Sequence, residues 1–496
     1  MQIDALAKRA RDVLHEVITL KNSLQPVNRL PPELLTSCAA FVSNADPRPI
    51  IPLTHVCRYW RRSIISNPRN WASIAIGWKR LVPLCLERAG AVPLALDITI
   101  PDIKSDPSFL RELLPHVTRV GHFYLTGHSS IKTVADDLPG FFDSSMPNLT
   151  SLELQQTTEP TKIFPSGNTP VCPIFRSVTK LESLCLTRTP LHPVLLSITS
   201  LRDLKLLGYT RPLHFGTFLG FLDSNPGLER VVLDIQFIVD SVETALARRI
   251  PLPRLQHLSI TCSKPIDSKG LLSCISLPHG VNLEVVFTQP DQHARLGSFL
   301  PSPPTPIWEL LAPITTVKAQ VSPQELRLFG NGTVFTFRSP QAPLDVHQEL
   351  ALLPGATVRK FYANLHPLKY TDIELSKVLK ALPRLKTLVF SDTIIPRGSL
   401  SALAEEPVSC PALKTIAFFN CSIRPNAIQE LGEAIVRRRH LTVTRLRRVV
   451  IINNSLVTLP EPESIQRLRK SIPRVDVGVN NKLPAVAFPL SSFRGT

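Results

Sequence analysis

The chain has 496 residues, of which 43% are hydrophobic and 19% are charged. This balance excludes an intrinsically disordered protein, and no stretch approaches the roughly 20 apolar residues that a membrane-spanning helix needs. The formal charge of +17 would attract polyanions without sequence preference. Nine scattered cysteines, together with an N-terminus that lacks the apolar segment of a secretory signal, predict a cytoplasmic or nuclear protein that does not act at a membrane.

The first predicted element is an amphipathic helix within residues 1–27. Its polar face carries Lys8, Arg9, Arg11 and Asp12. The apolar face is formed by Ile3, Leu6, Ala10, Val13, Leu14 and Val17. This heptad-like pattern is compatible with two arrangements, a short coiled-coil dimer and a helix that packs on its own domain.

Two further helices are predicted between residues 28 and 76. Leu30-Pro31-Pro32-Glu33 indicates a helix start, because proline fits the first turn and the helix dipole favours an anion there. The second helix is expected to carry Leu53, Val56, Cys57 and Trp60 on one face, with Ser43 to Pro49 as the preceding loop. Because so short a segment cannot bury a sufficient core, we expect its apolar residues to need a partner surface.

The order of Leu-Pro-x-Glu-Leu-Leu, Val-Cys-Arg-x-Trp and a closing Trp71 resembles the F-box, although Asn70 stands where that family often has leucine. The resemblance implies that residues 28–76 bind a Skp-type adaptor and, through it, a cullin scaffold. The alternative is a helical bundle that only caps the following domain. By position, the family's adaptor contacts correspond to Leu30, Pro31, Leu34, Leu35, Leu53, Val56, Cys57, Trp60 and Trp71. Some of these side chains must instead form the core of the module.

After a connector over residues 77–110, the phrase L-x-x-L-x-L recurs through residues 111–482. It begins at Leu201, Leu228 and Leu255, at intervals of 27 residues, and these intervals are typical of leucine-rich repeats. Most copies follow an apolar helical stripe, so each repeat is expected to be a helix, a turn and a strand stacked into a solenoid. The alternative is another α/β domain with leucine-rich strands.

The pattern fades over 289–383, where a hairpin is predicted around Gly330-Asn331-Gly332, within either a degenerate repeat or an insertion. Residues 483–496 are expected to be a loose tail.

These repeats resemble the irregular leucine-rich repeats that follow an F-box in a family abundant in basidiomycete fungi. The predicted fold class is therefore α/β, with a small all-helical F-box module followed by an irregular leucine-rich-repeat solenoid. In each strand the residues between the leucines should line the concave face. The candidates for client contact on that face are Glu153, Lys205, Arg230, Asp234, His257, Thr387, Phe419 and Arg448.

No catalytic motif, cofactor or metal site is expected from the sequence. It lacks a P-loop, a dinucleotide fingerprint and a nucleophile elbow. His116, His122 and His128 are spaced six residues apart, which does not bring their side chains together on a helix or a strand. The sequence thus favours a non-catalytic substrate receptor of a ubiquitin ligase that binds a client protein of unknown identity.

Two other functions remain open, a scaffold outside any ligase and a basic protein associated with nucleic acid. The second depends on the basic run Arg437-Arg438-Arg439 and on Arg445, Arg447 and Arg448. This run fits a nuclear-localisation signal or a patch for an acidic partner, and equally fits cations placed at a helix C-terminus. No aromatic residues are interleaved with these arginines, so we do not expect base stacking.

Overall fold

The computed structural model divides the chain into two compact units, Met1–Arg211 and Pro212–Thr496, which are described here one after the other. The division falls inside the region predicted as one solenoid. The described residues are 2–43, 50–75, 80–99, 108–127, 141, 144–157, 178–189, 191, 193–208, 213–234, 236–238, 249–289, 296–302, 305–320, 325–330, 332–339, 349–350, 357–364, 372–393, 395, 400–405, 410–423, 425–441, 445–453 and 462–479. The predicted tail 483–496 and most of the predicted loop before the second helix lie outside them.

The N-terminal unit begins with helices and continues as a parallel sheet. Its helices are α1 (Gln2–Ser23), α2 (Pro32–Ser43), α3 (Ile50–Thr54), α4 (Arg58–Ser66), α5 (Val82–Ala89) and α6 (Ser108–Leu113). Short 3-10 turns occupy Pro26–Arg29, Pro68–Trp71, Leu114–Arg119 and Pro193–Ser197. The strands are β1 (Ser73–Ala75), β2 (Leu94–Thr99), β3 (Val120–Gly127), β4 (Ser151–Gln156), β5 (Ser183–Thr187) and β6 (Asp203–Leu207).

The helix start predicted at Leu30-Pro31-Pro32-Glu33 is confirmed, since α2 begins at Pro32 with Glu33 in its first turn. The prediction that the second helix is continuous is wrong. It is divided into α3 and α4, because the backbone N–H groups of His55 and Val56 bond three residues back to Pro52 and Leu53 and tighten the end of α3. Cys57 is then extended, with φ of −161°, and precedes the first turn of α4.

Each strand of the N-terminal unit pairs with the next in parallel, from β1 to β6. The register aligns the repeated leucines, so that Leu152, Leu184 and Leu204 lie side by side. All three are buried. The sheet begins earlier than residue 111, because β1 and β2 belong to it. In β2 the buried residues Leu94, Leu96 and Ile98 alternate with more exposed ones, but the strand lacks the repeated phrase and therefore carries no repeat signal.

The C-terminal unit contains the remaining strands and helices. Its main strands are β8 (Arg230–Asp234), β11 (His257–Cys262), β13 (Asn282–Phe287), β14 (Thr316–Gln320), β15 (Glu325–Gly330), β16 (Thr333–Arg338), β17 (Lys360–Asn364), β18 (Thr387–Ser391), β19 (Thr415–Phe419), β20 (Arg448–Asn453) and β21 (Arg474–Val479). The short strands are β7 (Leu213–His214), β9 (Phe237–Ile238), β10 (Ile250–Pro251) and β12 (Ile275–Ser276). The helices are α7 (Phe215–Asp223), α8 (Pro265–Cys274), α9 (Leu296–Phe299), α10 (Pro306–Leu311), α11 (Asp372–Ala381), α12 (Pro425–Leu441) and α13 (Pro462–Ser471), and a 3-10 turn spans Ser401–Ala404.

The main sheet of this unit is parallel except at one place. β8, β11 and β13 pair in parallel, as do β17 to β21 in sequence. Between them β14, β15 and β16 form an antiparallel meander, which confirms the hairpin predicted around Gly330. The meander enters the sheet in reverse order, because β16 pairs with β13 and β14 pairs with β17. The strands β14 to β16 thus keep the sheet continuous without repeating the unit.

Both sheets have two chemically different faces. One face, called here the leucine face, carries the repeated apolar side chains, and nearly all of these are fully buried. The alternate residues of each strand point to the opposite side, called the second face. This arrangement is a mixed α/β repeat fold whose strands are stacked by their apolar side chains. The predicted client-contact residues lie on the second face.

Candidate interaction surfaces

The nine predicted adaptor-binding residues separate into three groups by exposure. Leu35 and Trp71 are buried and form the core of the helical module, which we define as residues 26–71. Leu30, Leu53, Cys57 and Trp60 are half-buried. Pro31, Leu34 and Val56 are exposed, with 53% of Leu34 and 54% of Val56 open to solvent. The side chains of the last group are the most accessible to a partner.

Hydrogen bonds explain why several of these residues face inward. Trp60 Nε1 donates to Asn28 Oδ1 at 2.6 Å, and the Tyr59 hydroxyl donates to the Leu30 carbonyl at 2.5 Å. Trp71 Nε1 donates to the carbonyl of Ile64 at 3.2 Å. The first two bonds fix α4 against the segment that precedes α2, and the third joins α4 to the turn that follows it. The two tryptophans thus hold the module together.

Asn70, the departure from the family pattern, also has a structural role. It is 5% exposed, and its side-chain amide donates to the Ile64 carbonyl at 3.1 Å. This carbonyl lies in the last turn of α4, where backbone acceptors lack helical partners. The asparagine therefore caps a helix end from a buried position. A leucine at this position could not donate that bond.

An exposed apolar stripe runs along α2. It consists of Pro31, Leu34, Cys38 and Phe41, which we call the α2 stripe; these residues are spaced three or four apart and so share one face. Phe41 is 81% exposed. Sequence reasoning missed Cys38 and Phe41, although the spacing of seven residues from Leu34 to Phe41 was the available signal. An unpartnered phenylalanine next to leucine is a feature of binding surfaces.

In the N-terminal unit, the predicted residues Glu153 and Lys205 lie in one row of the second face. The strand register places Asp97, Tyr124, Glu153, Cys185 and Lys205 side by side across β2 to β6. Burial, together with the nearby Glu153 carboxylate, raises the pKa of the Cys185 thiol to about 11. The thiol therefore stays protonated at neutral pH, and it has the character of a small apolar contact and not of a nucleophile.

In the C-terminal unit, the predicted residues fall into separate groups. Arg230 and His257 are register partners at the start of β8 and β11, and Asp234 lies at the end of β8. Thr387 and Arg448 share a row through Thr415. The second face therefore carries these candidates at several places, without bringing all of them together.

On the sheets, the first feature missed from the sequence is a charged network on the meander. Glu325 is 3% exposed, and its carboxylate pairs with Arg327 and with Arg338, the latter at 2.8 Å. Arg338 also contacts Glu284 at 2.7 Å, and Ser259 donates to Glu284 at 3.2 Å. The network links β11, β13, β15 and β16. It depends on a strand order that the repeat pattern does not encode.

The second missed feature is an apolar cluster on the second face, which we call the sheet patch. It is formed by Tyr362, Val389, Ala417, Phe419, Val450 and Ile452. Val389, Ala417 and Val450 follow one another in register and are fully buried or nearly so, while Tyr362 and Phe419 pack against them and stay partly exposed. Burial raises the pKa of the Tyr362 hydroxyl, which is therefore neutral at physiological pH. Of this patch, sequence reasoning selected only Phe419 as a candidate site residue.

The basic run near the C-terminus is largely tied into the fold. Arg438 is buried and donates to the carbonyls of Leu403 and Cys410. Arg439 donates to the Ser471 carbonyl, and Arg437 pairs with Glu433 one helical turn away. Arg448 contacts Asp476 at 2.7 Å. Arg437, Arg438 and Arg439 lie in the last turns of α12, and Arg438, Arg439 and Arg448 bind neighbouring elements, which favours the helix-terminus interpretation over a free basic patch.

The contact between Arg448 and Asp476 predicts an acid-dependent stability. Partial burial by itself would raise the pKa of the Asp476 carboxyl. Hydrogen bonds from Arg474 and Arg448 outweigh this effect and lower the pKa below the ordinary value of 3.8. A carboxyl with a lowered pKa stabilises the fold at neutral pH and loses that contribution as the pH falls through its folded pKa. We expect Asp476→Asn to be less stable than the parent at neutral pH and equally stable near pH 2. Denaturant unfolding of both proteins at several pH values from about 2 to 7 measures this difference. A difference that does not change with pH would contradict this role.

Other kinds of site find no support in the part of the chain that the structure describes. Those residues contain no group of three or more histidine, cysteine, aspartate or glutamate side chains that could hold a metal ion. Within the same residues, no helix has both the length and the apolar character to cross a bilayer. His116 contacts Arg119 at 3.1 Å and His122 lies on β3, while His128 falls outside the described residues.

Comparison with known proteins gives a distant likeness among solved structures. No protein-family model matches the chain, and no curated protein matches it. Among solved structures, the leucine-rich-repeat-containing protein LegL7 from Legionella pneumophila is similar over 66% of this chain and 94% of its own, at 15% identity and a TM-score of 0.25. At that TM-score the match carries no argument, so the repeat architecture stands on the strand register described above. The chain is a mixed α/β repeat protein with an apolar stripe on a helical module.

Proposed function

We propose that this chain is a non-catalytic substrate receptor of a Skp–cullin–F-box ubiquitin ligase. In this proposal the helical module is an F-box that binds the adaptor through the α2 stripe and Val56. The second face of the sheets then holds a client protein. The observation that carries the proposal is the exposure of Leu34 and Phe41 on α2, beside a sequence pattern that resembles the F-box.

The exposed stripe favours a protein partner on energetic grounds. Burying a leucine or phenylalanine side chain contributes about 1.5–3 kcal/mol, and Leu34 and Phe41 lie two turns apart on the same face of α2 with Cys38 between them. Leu35 and Ala39, which lie on the other side of α2, are already buried within the module. The stripe is thus separate from the residues that fold the module, and it can be altered without disturbing its core.

The sheet patch supports the client-binding part of the proposal. Aromatic side chains are enriched among the residues that carry most of the energy of a protein interface. In the sheet patch Tyr362 and Phe419 are partly exposed aromatic residues packed against the buried Val389 and Ala417. A receptor that holds its client in this way contributes proximity, while other subunits supply the chemistry of transfer.

The proposal is tested by co-purification of the full chain with a Skp-type adaptor. We expect the parent to retain the adaptor and Phe41→Glu to lose most of it, because a charge would be buried in an apolar contact. Ser66→Glu is the matched control, since it adds the same charge at an exposed position of α4 in the same module. Circular dichroism establishes that both variants are folded.

Two outcomes would overturn the proposal. If the parent chain retains no adaptor, the helical module only caps the sheet or the protein is a scaffold outside any ligase. If Phe41→Glu and Ser66→Glu retain the adaptor equally, the α2 stripe is not the contact surface.

A further inference from the structure

A second unpartnered apolar surface lies on α1, ahead of the helical module. Seven of its positions, counting the residue that follows its last turn, are separated alternately by three and four residues, the heptad spacing of a coiled coil. They are Ile3, Leu6, Ala10, Val13, Val17, Leu20 and Leu24. The six large side chains among them are 54% to 81% exposed, and no residue of α1 is buried.

A helix with this surface is not stable by itself. Most helical stability in proteins comes from packing an apolar face and not from intrinsic helix propensity. The contact that α1 makes with the following turn, from the Asn28 amide to the Asn22 carbonyl at 2.6 Å, leaves the heptad face open. The face therefore needs an occupant that matches three heptads.

The residues at the heptad positions fit a second copy of the same helix. If Ile3 is assigned to position a, the other a positions are Ala10, Val17 and Leu24, and the d positions are Leu6, Val13 and Leu20. The first and third heptads thus combine a β-branched residue at a with leucine at d, which favours parallel two-stranded coiled coils. These two heptads favour a homodimer over a larger bundle.

The flanking charges fit the same arrangement. In a parallel dimer, a residue at g contacts position e of the second copy five residues further on. Glu16 at g then faces Lys21 of the second copy, and the symmetry provides this pair twice. Arg9 at g faces Leu14, so neither of these contacts opposes like charges.

We propose that α1 pairs with α1 of a second copy to form a parallel two-stranded coiled coil, so that the protein is a homodimer. This inference does not depend on the proposed function. A dimer carries two helical modules and two sets of sheet surfaces. A partner with two binding sites would then be held by avidity, with no new contact required.

The test is the molar mass of the full chain in solution, measured by light scattering and sedimentation over a range of concentrations. We expect a mass near twice the 55.0 kDa of one chain, and Leu6→Glu/Leu20→Glu should raise the dissociation constant by roughly a hundredfold. Ala5→Glu/Thr19→Glu is the matched control, since it adds the same two charges to exposed positions on another face of α1. A monomeric parent, or equal behaviour of the two variants, would overturn the proposal.

A charge exchange tests the parallel orientation. Glu16→Lys alone should weaken the dimer, because it places two lysines opposite each other. Glu16→Lys/Lys21→Glu should restore the parental affinity in a parallel dimer. In an antiparallel dimer Glu16 would face Arg9 instead, so the second substitution would not rescue the first, and that result would contradict the parallel arrangement.

Discussion

Gly330→Ala is expected to destabilise the C-terminal unit by about 3 kcal/mol. A Cβ atom at this position would lie 2.5 Å from the carbonyl oxygen of Pro313 and 2.7 Å from the Cα of Ile314. Both are backbone atoms and cannot rotate away. The chain before β14 would have to move, and with it the meander that joins the two parallel parts of the sheet. Denaturant unfolding of the full chain measures the loss.

Gly216→Ala is the matched control for this prediction. Gly216 lies in α7 of the same unit, and nothing is found within 4 Å of the position of its Cβ. Alanine is favoured over glycine inside a helix by up to about 1 kcal/mol, so this variant should be as stable as the parent or slightly more so. Equal destabilisation by the two substitutions would mean that the close approach at Gly330 does not determine its effect.

Arg438→Met is expected to destabilise the same unit by about 3 kcal/mol. Arg438 is 3% exposed, and its guanidinium donates to the carbonyls of Leu403 and Cys410. Methionine keeps much of the side-chain volume but leaves both buried acceptors without this donor. Burial lowers the pKa of the guanidinium, and this shift is a measure of the desolvation that the two carbonyls offset.

The neighbouring arginine provides the comparison. The Arg437 side chain is 68% exposed, and its contact with Glu433 is a surface pair one helical turn apart. Such pairs contribute little, so Arg437→Met should change the free energy of unfolding by less than about 0.5 kcal/mol. Similar losses for the two variants would show that Arg438 acts through surface charge and not through its buried hydrogen bonds.

The repeated strands could be predicted from the sequence because their signal is local. Leu152, Leu184 and Leu204 occupy equivalent places in the phrase, and the strand period alone assigns them to one buried face. The helix start at Pro32 has an equally local cause. By contrast, β2 shares the alternation without the phrase, so its place in the sheet becomes visible only through its pairing with β3.

The candidate interaction surfaces were harder to predict, because they depend on contacts between elements that are far apart in the sequence. Sequence reasoning placed Leu35 and Trp71 with Leu34 in one binding group, although the first two are buried in the module. Which face of a short helix is covered depends on where its neighbours pack, and no periodicity within α2 contains that information. The pairing of β14 with β17, and the charged network beside it, likewise depend on a reversal of strand order.

The most direct test of this account is a calorimetric titration of the full chain with a Skp-type adaptor at several temperatures. We expect one adaptor bound per chain with a negative heat-capacity change, because the α2 stripe buries apolar surface on binding. Leu34→Ala/Phe41→Ala should reduce both the affinity and the size of that heat-capacity change. A parent chain that releases no heat and leaves the adaptor free at every temperature would contradict the account.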